Sequence, residues 1–149
     1  MEEQKNVLLI TNAITDQELN LIKDAMTHAN TQKNMLIKLH LVHVIPNLPT
    51  CYFNIPSMVS LAEQYYEEAK KTLTNMGDAL SISKKNQWLI TGRMKSEVLR
   101  LAGKLNTHFI LANSGNIQDL HKSFSSKKQQ TGVSSINNIG KLVNQLTSE

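Results

Sequence analysis

One cysteine, three prolines, six glycines and an aromatic fraction of 5% are what this 149-residue chain has little of. A lone Cys51 can close no intramolecular disulfide and has no thiol partner for a cysteine-based metal site, which excludes a disulfide scaffold and a zinc ribbon. Nothing near it in sequence marks an activated nucleophile, so it reads as a thiol in a loop. No apolar run approaches the ~18 to 20 residues that cross a bilayer, and a membrane-spanning helix is excluded. The first six residues are polar and the next apolar stretch covers only Val7 to Ile10, so no secretory signal is legible and the chain reads as cytoplasmic. Charge of one sign is also scarce. Sixteen Lys and Arg against twelve Asp and Glu leave +4, scattered and not interleaved with aromatics as nucleic-acid surfaces are. The tightest basic group, Lys122, Lys127 and Lys128, sits in a polar stretch and reads as a solvated loop.

What is present is enough for one domain covering residues 1–149, with 40% hydrophobic residues for a core. Residues 6–11 form a short apolar run that suits a strand buried on both faces. Thr15-Asp-Gln-Glu18 has the form of a capping box, and Leu19, Ile22, Met26 and Ala29 follow at helical spacing. Residues 35–45 read as a second strand. Pro46, Pro49 and Pro56 then hold the chain in a loop, because each removes an amide donor and disfavours helix before it. Met58, Leu61, Tyr65, Ala69, Leu73 and Met76 predict the longest helix, stopped at Gly77. Residues 86–91 predict a third strand, Val98, Leu99, Ala102 and Leu105 a third helix, and residues 108–112 a fourth strand. This βαβαβαβ alternation predicts an α/β fold, a doubly wound parallel sheet with helices on both faces. Residues 116–132 are polar and without periodicity, and are expected to be mobile in part. From Ser135 a helical face returns through Ile136, Ile139, Val143 and Leu146, and no fifth strand is legible.

In an open parallel sheet ligands bind beyond the carboxyl ends of the strands. Here those ends are Thr11-Asn-Ala13, Val44-Ile45, Gly92 and Ala112-Asn-Ser-Gly115. The last could turn backbone amides toward a phosphate, especially with a helix start near Ser135 aimed at the same place. His28, His40, His43, His108 and His121 include no pair with the spacing of a metal motif. His40 and His43 lie three apart in a strand and so face opposite ways, and no metal is expected. Glu63, Glu67 and Glu68 read as a solvated helix face, and no paired acids recommend hydrolysis.

Val7-Leu-Leu-Ile10, Leu41-Val-His-Val44, Gly92-Arg-Met-Lys-Ser-Glu-Val98 and His108-Phe-Ile-Leu-Ala-Asn-Ser-Gly115 make residues 5–115 resemble the universal stress proteins. That resemblance implies a Rossmann-like sheet of order 3-2-1-4, here without the family's usual fifth strand. It also implies a cytoplasmic binding or regulatory protein of the stress response, not an enzyme. Members that bind ATP carry Gly, two residues, Gly, nine residues, then Gly with Ser or Thr. Ala112 stands at the first glycine and Gly115 at the second. The terminal pair falls on Ser125-Ser126 at nine-residue spacing, or, as the following apolar helix favours, on Ser134-Ser135 after an insertion. The family's ribose-contacting aspartate is replaced by Asn12, which accepts a hydrogen bond but lacks charge. By resemblance, then, the nucleotide-binding positions are Thr11, Asn12, Ala13, Val44, Gly92, Ala112, Asn113, Ser114, Gly115, Ser134 and Ser135. The broken motif implies an adenine-nucleotide site lost, with an ATP- or AMP-binding protein, slowly hydrolysing, as the alternative. The resemblance further implies homodimers, commonly paired through fifth strands. Without that strand, the edge of the fourth is expected to be covered by the C-terminal helix or the dimer to be built otherwise.

Overall fold

Four successive side chains, Val7 to Ile10, are buried at the end of β1 (Glu3–Ile10). Successive residues of a strand point to opposite faces, so β1 must have an apolar layer on each side. It occupies the middle of a five-stranded sheet of order β3-β2-β1-β4-β5, whose pairings are all parallel. The computed structural model describes residues 3–30, 35–47, 54–113, 115–116 and 132–147. After β1 come α1 (Asp16–Asn30), β2 (Met35–Ile45), α2 (Pro56–Leu80), β3 (Gln87–Thr91), α3 (Met94–Lys104), β4 (Phe109–Ala112), β5 (Gly132–Ser135) and α4 (Ile139–Thr147).

The two layers divide by residue parity. Val7, Leu9, Leu39, Leu41 and Leu111 join Ile22 of α1, Leu73 and Met76 of α2, and Ile139 and Leu142 of α4. Leu8, Ile10, Val42, Val44, Ile110 and Ala112 join Val98, Leu101 and Ala102 of α3. Helices thus cover both faces, the doubly wound arrangement that the alternation of elements predicts. At the start of α1 the capping box is formed in full. Glu18 N donates to Thr15 Oγ1 at 3.2 Å, and Thr15 N donates to Glu18 Oε1 at 3.0 Å.

Two expectations are corrected. Gly77 does not stop α2; the helix continues to Leu80 and ends on Ser81, which takes the left-handed conformation at φ 58°. The glycine is there for clearance: a Cβ would lie 2.7 Å from Gln87 Cδ and closer still to Gln87 Nε2. The second correction is a fifth strand. Gly132–Ser135 pairs along β4, with Ser134 opposite Leu111 and Ser135 opposite Ala112, and so covers the edge of β4 with strand and not helix. Its sequence, Gly-Val-Ser-Ser, has one apolar residue and gives neither a run nor an alternation to read. Residues 117–131, with Ser125, Ser126 and the three lysines, lie outside the described residues, as do Cys51 and Ser114. The expectation of mobility falls there. Among the described residues no helix is long and apolar enough to cross a membrane.

Candidate functional site

The parallel register carries the ends of β1, β2, β3 and β4 to one rim. There the chain is tied across strands by side-chain amides. β1 stops its main-chain ladder at Thr11, whose N–H donates to Val42 O at 2.8 Å. Ala13 then turns the chain away with φ 61°, a left-handed conformation uncommon for a residue with a Cβ. Asn12, between them, continues the ladder with its side chain. Its Nδ2 donates to Val44 O at 2.7 Å, and its Oδ1 accepts from Val44 N at 2.9 Å. Both ends of the amide are therefore held by the β2 backbone. An ionised aspartate could make only one of these bonds, since it has no donor to offer Val44 O.

The β4 end is tied the same way. Asn113 Nδ2 donates to Ala13 O at 2.9 Å, and Asn116 Nδ2 donates to Asn12 O at 3.2 Å. Asn116 N, an amide of the kind a phosphate would draw on, donates instead to Asn113 Oδ1 at 3.0 Å. On the other side Gly92 N donates to Ile45 O at 2.9 Å. Gly92 is a glycine by need, with φ 156° and a would-be Cβ at 2.8 Å from Glu97 Cγ.

The motif positions behave differently. Ala112 is the last residue of β4, and its methyl group is fully buried in the layer facing α3. It does not line the rim. Gly115 is exposed, has no positive φ, and leaves room for a side chain, a Cβ there meeting only Asn113 Oδ1 at 3.7 Å. Neither position has the geometry that makes glycine indispensable in a phosphate cradle. Ser134 and Ser135 lie beside Leu111 and Ala112 in β5, and Ser135 Oγ accepts from Asn137 N at 3.3 Å as the cap of the turn into α4.

Between the β2 end and α2 lies an open cavity of about 410 Å³, bounded by Asn12, His43 and Val44 from the sheet and by Tyr65, Glu68 and Thr72 from α2. His43 is the residue that reading the sequence for metal spacing passed over. Its place at the last turn-out of β2, on the face opposite His40, is the signal that would have found it. Thr11, fully buried, directs its hydroxyl to Val42 O at 3.2 Å and lies 2.8 Å from His43 Nδ1. Thr11 Oγ1 and His43 Nδ1 share one hydrogen bond, its direction set by the imidazole tautomer. Burial lowers the pKa of His43 from its ordinary 6.5, which keeps the ring neutral near pH 7. His40 is lowered as well, by burial first and then by the charge of Lys38. No cluster of three or more His, Cys, Asp or Glu placed to hold a metal occurs among the described residues.

The chain matches no family model. Over 92 residues it is 33% identical to universal stress protein A homolog 1 of Coxiella burnetii, a match covering 60% of this chain. The chain spans 64% of that relative's length. Among solved structures it is similar to hypothetical protein MJ0577, with a TM-score of 0.61 at 18% identity over 88% of this chain and 95% of that one. It is also similar to a Pseudomonas aeruginosa UCBPP-PA14 protein described as a universal stress protein, with a TM-score of 0.58 at 14% identity over 98% of this chain and 52% of that one. The chain is thus similar in sequence to a universal stress protein over 60% of its length, and its five-stranded parallel sheet of order 3-2-1-4-5 has the fold of the solved structures it matches.

Proposed function

We propose that this chain is a cytoplasmic, non-enzymatic binding protein of the stress response that does not hold ATP in the family manner. The observation that carries the reading is the pair of hydrogen bonds between Asn12 and Val44, which occupies the side chain that would otherwise meet a ribose. Around it the rim spends its other polar groups on itself. Asn113 Oδ1 takes the main-chain N–H of Asn116 that a phosphate would draw on, the Nδ2 groups of Asn113 and Asn116 are given to the carbonyls of Ala13 and Asn12, and Ala112 and Gly115 have no glycine-specific geometry. A ligand entering this rim has to break existing hydrogen bonds before making its own. Such exchanges return little net free energy, because each new bond replaces one of about equal worth. The protein therefore acts by conformation or by contact with a partner.

A second reading rests on the cavity. Its volume of about 410 Å³ lies within the ~300 to 1,000 Å³ usual for small-ligand sites, and it borders Asn12 and Val44. An adenine nucleotide could place its nucleoside there with no cradle for its phosphates, and ATP, AMP and adenosine would then bind alike. Isothermal titration of the full chain separates the two. The first reading expects no heat from ATP, AMP or adenosine at near-millimolar ligand. Equal affinities for the three support the second, and ATP bound more tightly than adenosine overturns both.

A further inference from the structure

The fold sorts charges that the sequence scatters. Up to Asp78 the chain has nine carboxylates against six Lys and Arg, and from Ala79 onward three against ten. In space the division is sharper. Among the described residues every carboxylate except Glu3 and Glu97 belongs to α1 or α2, which pack on one layer of the sheet, while α3 covers the other. On the α3 side Lys84 and Lys85 lead into β3, and Arg93, Lys95, Arg100 and Lys104 follow, with Glu97 the sole carboxylate between Ala79 and Asn116. Glu97 is already engaged, 3.4 Å from Arg100. The parallel topology runs α3 from the rim back to the starts of the strands. There Lys104 Nζ lies 5.6 Å from the centroid of the Trp88 ring, two residues beyond the turn that carries Lys84 and Lys85. The residues outside the described ones bring little counter-charge to this side. Segment 48–53 has no charge, 31–34 has one lysine, and 117–131 has three lysines against Asp119, which leaves Glu2 and Glu149 near the chain ends.

We propose that this basic side of α3 docks an acidic helix of a partner protein. The exposed positions of α3 fall on one stripe, Arg93 at the cap, then Ser96, Arg100, Gly103 and Lys104, at helical steps of three and four. Arg100 and Lys104 stand about 6 Å apart along the axis, the spacing of carboxylates at i and i+4 on another helix. Small residues lie between the cations. Gly103 is helical and not left-handed, and no atom comes within 4 Å of a would-be Cβ, so nothing in the described chain requires a glycine there. Glycine is also the less stable choice within a helix. A partner helix lying close against Ser96 and Gly103 supplies the reason for it. A stacking surface for nucleic-acid bases is not what this side offers. The large exposed apolar side chains, Leu21, Ile55, Tyr65 and Tyr66, lie on or beside α1 and α2, and Trp88 is half-buried with Lys104 over its ring. The proposal rests on partner contact as the mode of action and not on the rim, so a nucleotide found at the rim leaves it standing.

Fluorescence anisotropy of labelled peptides titrated with the full chain tests this. Two alanine-based peptides of about 20 residues and equal composition are compared, long enough to hold a helix in water. One has its glutamates on a single stripe at i and i+4, and the other has them spread around the helix. The striped peptide is expected to bind severalfold more tightly, and less tightly as salt rises. Arg100→Gln with Lys104→Gln weakens it roughly 2- to 30-fold, the loss of two exposed ion pairs. Lys70→Gln with Lys71→Gln, the same change of net charge on α2, leaves it in place. Gly103→Leu also weakens it, while the thermal midpoint of the chain does not fall, because the position is open. The proposal is overturned by no binding of either peptide at low salt, by equal binding of the two, by equal losses from the α2 and α3 substitutions, or by Gly103→Leu without effect. A duplex DNA oligonucleotide bound more tightly than the striped peptide overturns it too, since the partner would then be a nucleic acid.

Discussion

Replacing Asn12 by aspartate restores the residue type that the family resemblance puts at the end of the first strand, and its cost can be worked from the rim geometry. The acceptor bond from Val44 N, at 2.9 Å, survives with a carboxylate oxygen in place of Oδ1. The donor bond to Val44 O does not. A 2.7 Å N–H···O contact becomes two facing oxygens, one of them charged. The lost bond is worth ~0.5 to 1.5 kcal/mol, and a carbonyl left without a donor costs ~1 to 3 kcal/mol when buried. Asn12 is only half-buried, so water relieves part of this and the lower ends apply. The expected loss is about 2 kcal/mol at pH 7, or roughly 4 to 8 °C in Tm for a domain near this size.

Acid distinguishes this account from a general loss of packing. A protonated carboxyl regains a donor for Val44 O, so the introduced group has a folded pKa above its unfolded value of ~3.9. The penalty is then present above the folded pKa and fades as pH falls through it. Urea unfolding of the parent, Asn12→Asp and Asn12→Ala, each at pH 7 and near pH 4.5, reads the effect. The gap between parent and Asn12→Asp should narrow on acidification, while that between parent and Asn12→Ala should not. Equal stability of parent and Asn12→Asp at pH 7, or a gap that ignores pH, refutes the amide clamp.

Gly77→Ala brings a methyl group against the Gln87 side chain, whose Nε2 donates to Ile82 O at 2.9 Å. Alanine gains ~1 kcal/mol of helix propensity over glycine, but Gln87 must leave its carbonyl, so in the parent the substitution is expected to be neutral to about 1 kcal/mol destabilising. In a Gln87→Ala background the obstruction is gone and the same change should stabilise by about 1 kcal/mol, a reversal of sign that chemical denaturation of the four variants would show. His40 and His43 both have pKa values lowered in the fold from 6.5, so the unfolded chain takes up protons first as pH falls. Their stabilising contribution is complete above the unfolded pKa and is lost as pH falls from there toward the folded values. Urea midpoints measured from about pH 7.5 to 5.5 should decline, at most by ~1.4 kcal/mol per pH unit for each histidine, and less steeply in His43→Asn. A flat profile over that range contradicts the buried, neutral rings.

The parts of the fold legible in the sequence are those that buried layers write into it. β2 begins and ends where its Leu, Ile and Val run begins and ends, and α1 starts where Thr15 and Glu18 can cap it. β5 is illegible because an edge strand of four residues paired on one side needs no apolar run; the backbone of β4 fixes its place. Gly77 misleads for a related reason. Glycine marks a helix end when the backbone needs a left-handed residue, and here Ser81 takes that conformation while Gly77 answers to a neighbour ten residues on. At the rim, Thr11, Asn12, Ala13, Val44, Gly92 and Asn113 could be named from the strand ends alone. What they do to one another could not. The Asn12 clamp depends on a register of one residue between β1 and β2, and His43 enters the cavity only because α2 runs past it.

The rim is an arrangement that needs no ligand to hold it. Ala13 keeps a left-handed backbone that costs ~1 to 2 kcal/mol, and something must oppose the tendency of β1 to leave its neighbours there. In a rim built on phosphate contacts, that opposing force comes from the ligand and is absent when the site is empty. Here it comes from three asparagines. An amide carries donor and acceptor on one planar group, so Asn12 can bridge both polar atoms of Val44, and Asn113 can hold Ala13 O while accepting from Asn116 N. Each bond joins strand ends that the ladder no longer joins. An amide at residue 12, where the resemblance would put a carboxylate, does two things at once: it carries no charge, and it supplies the donor that closes the clamp.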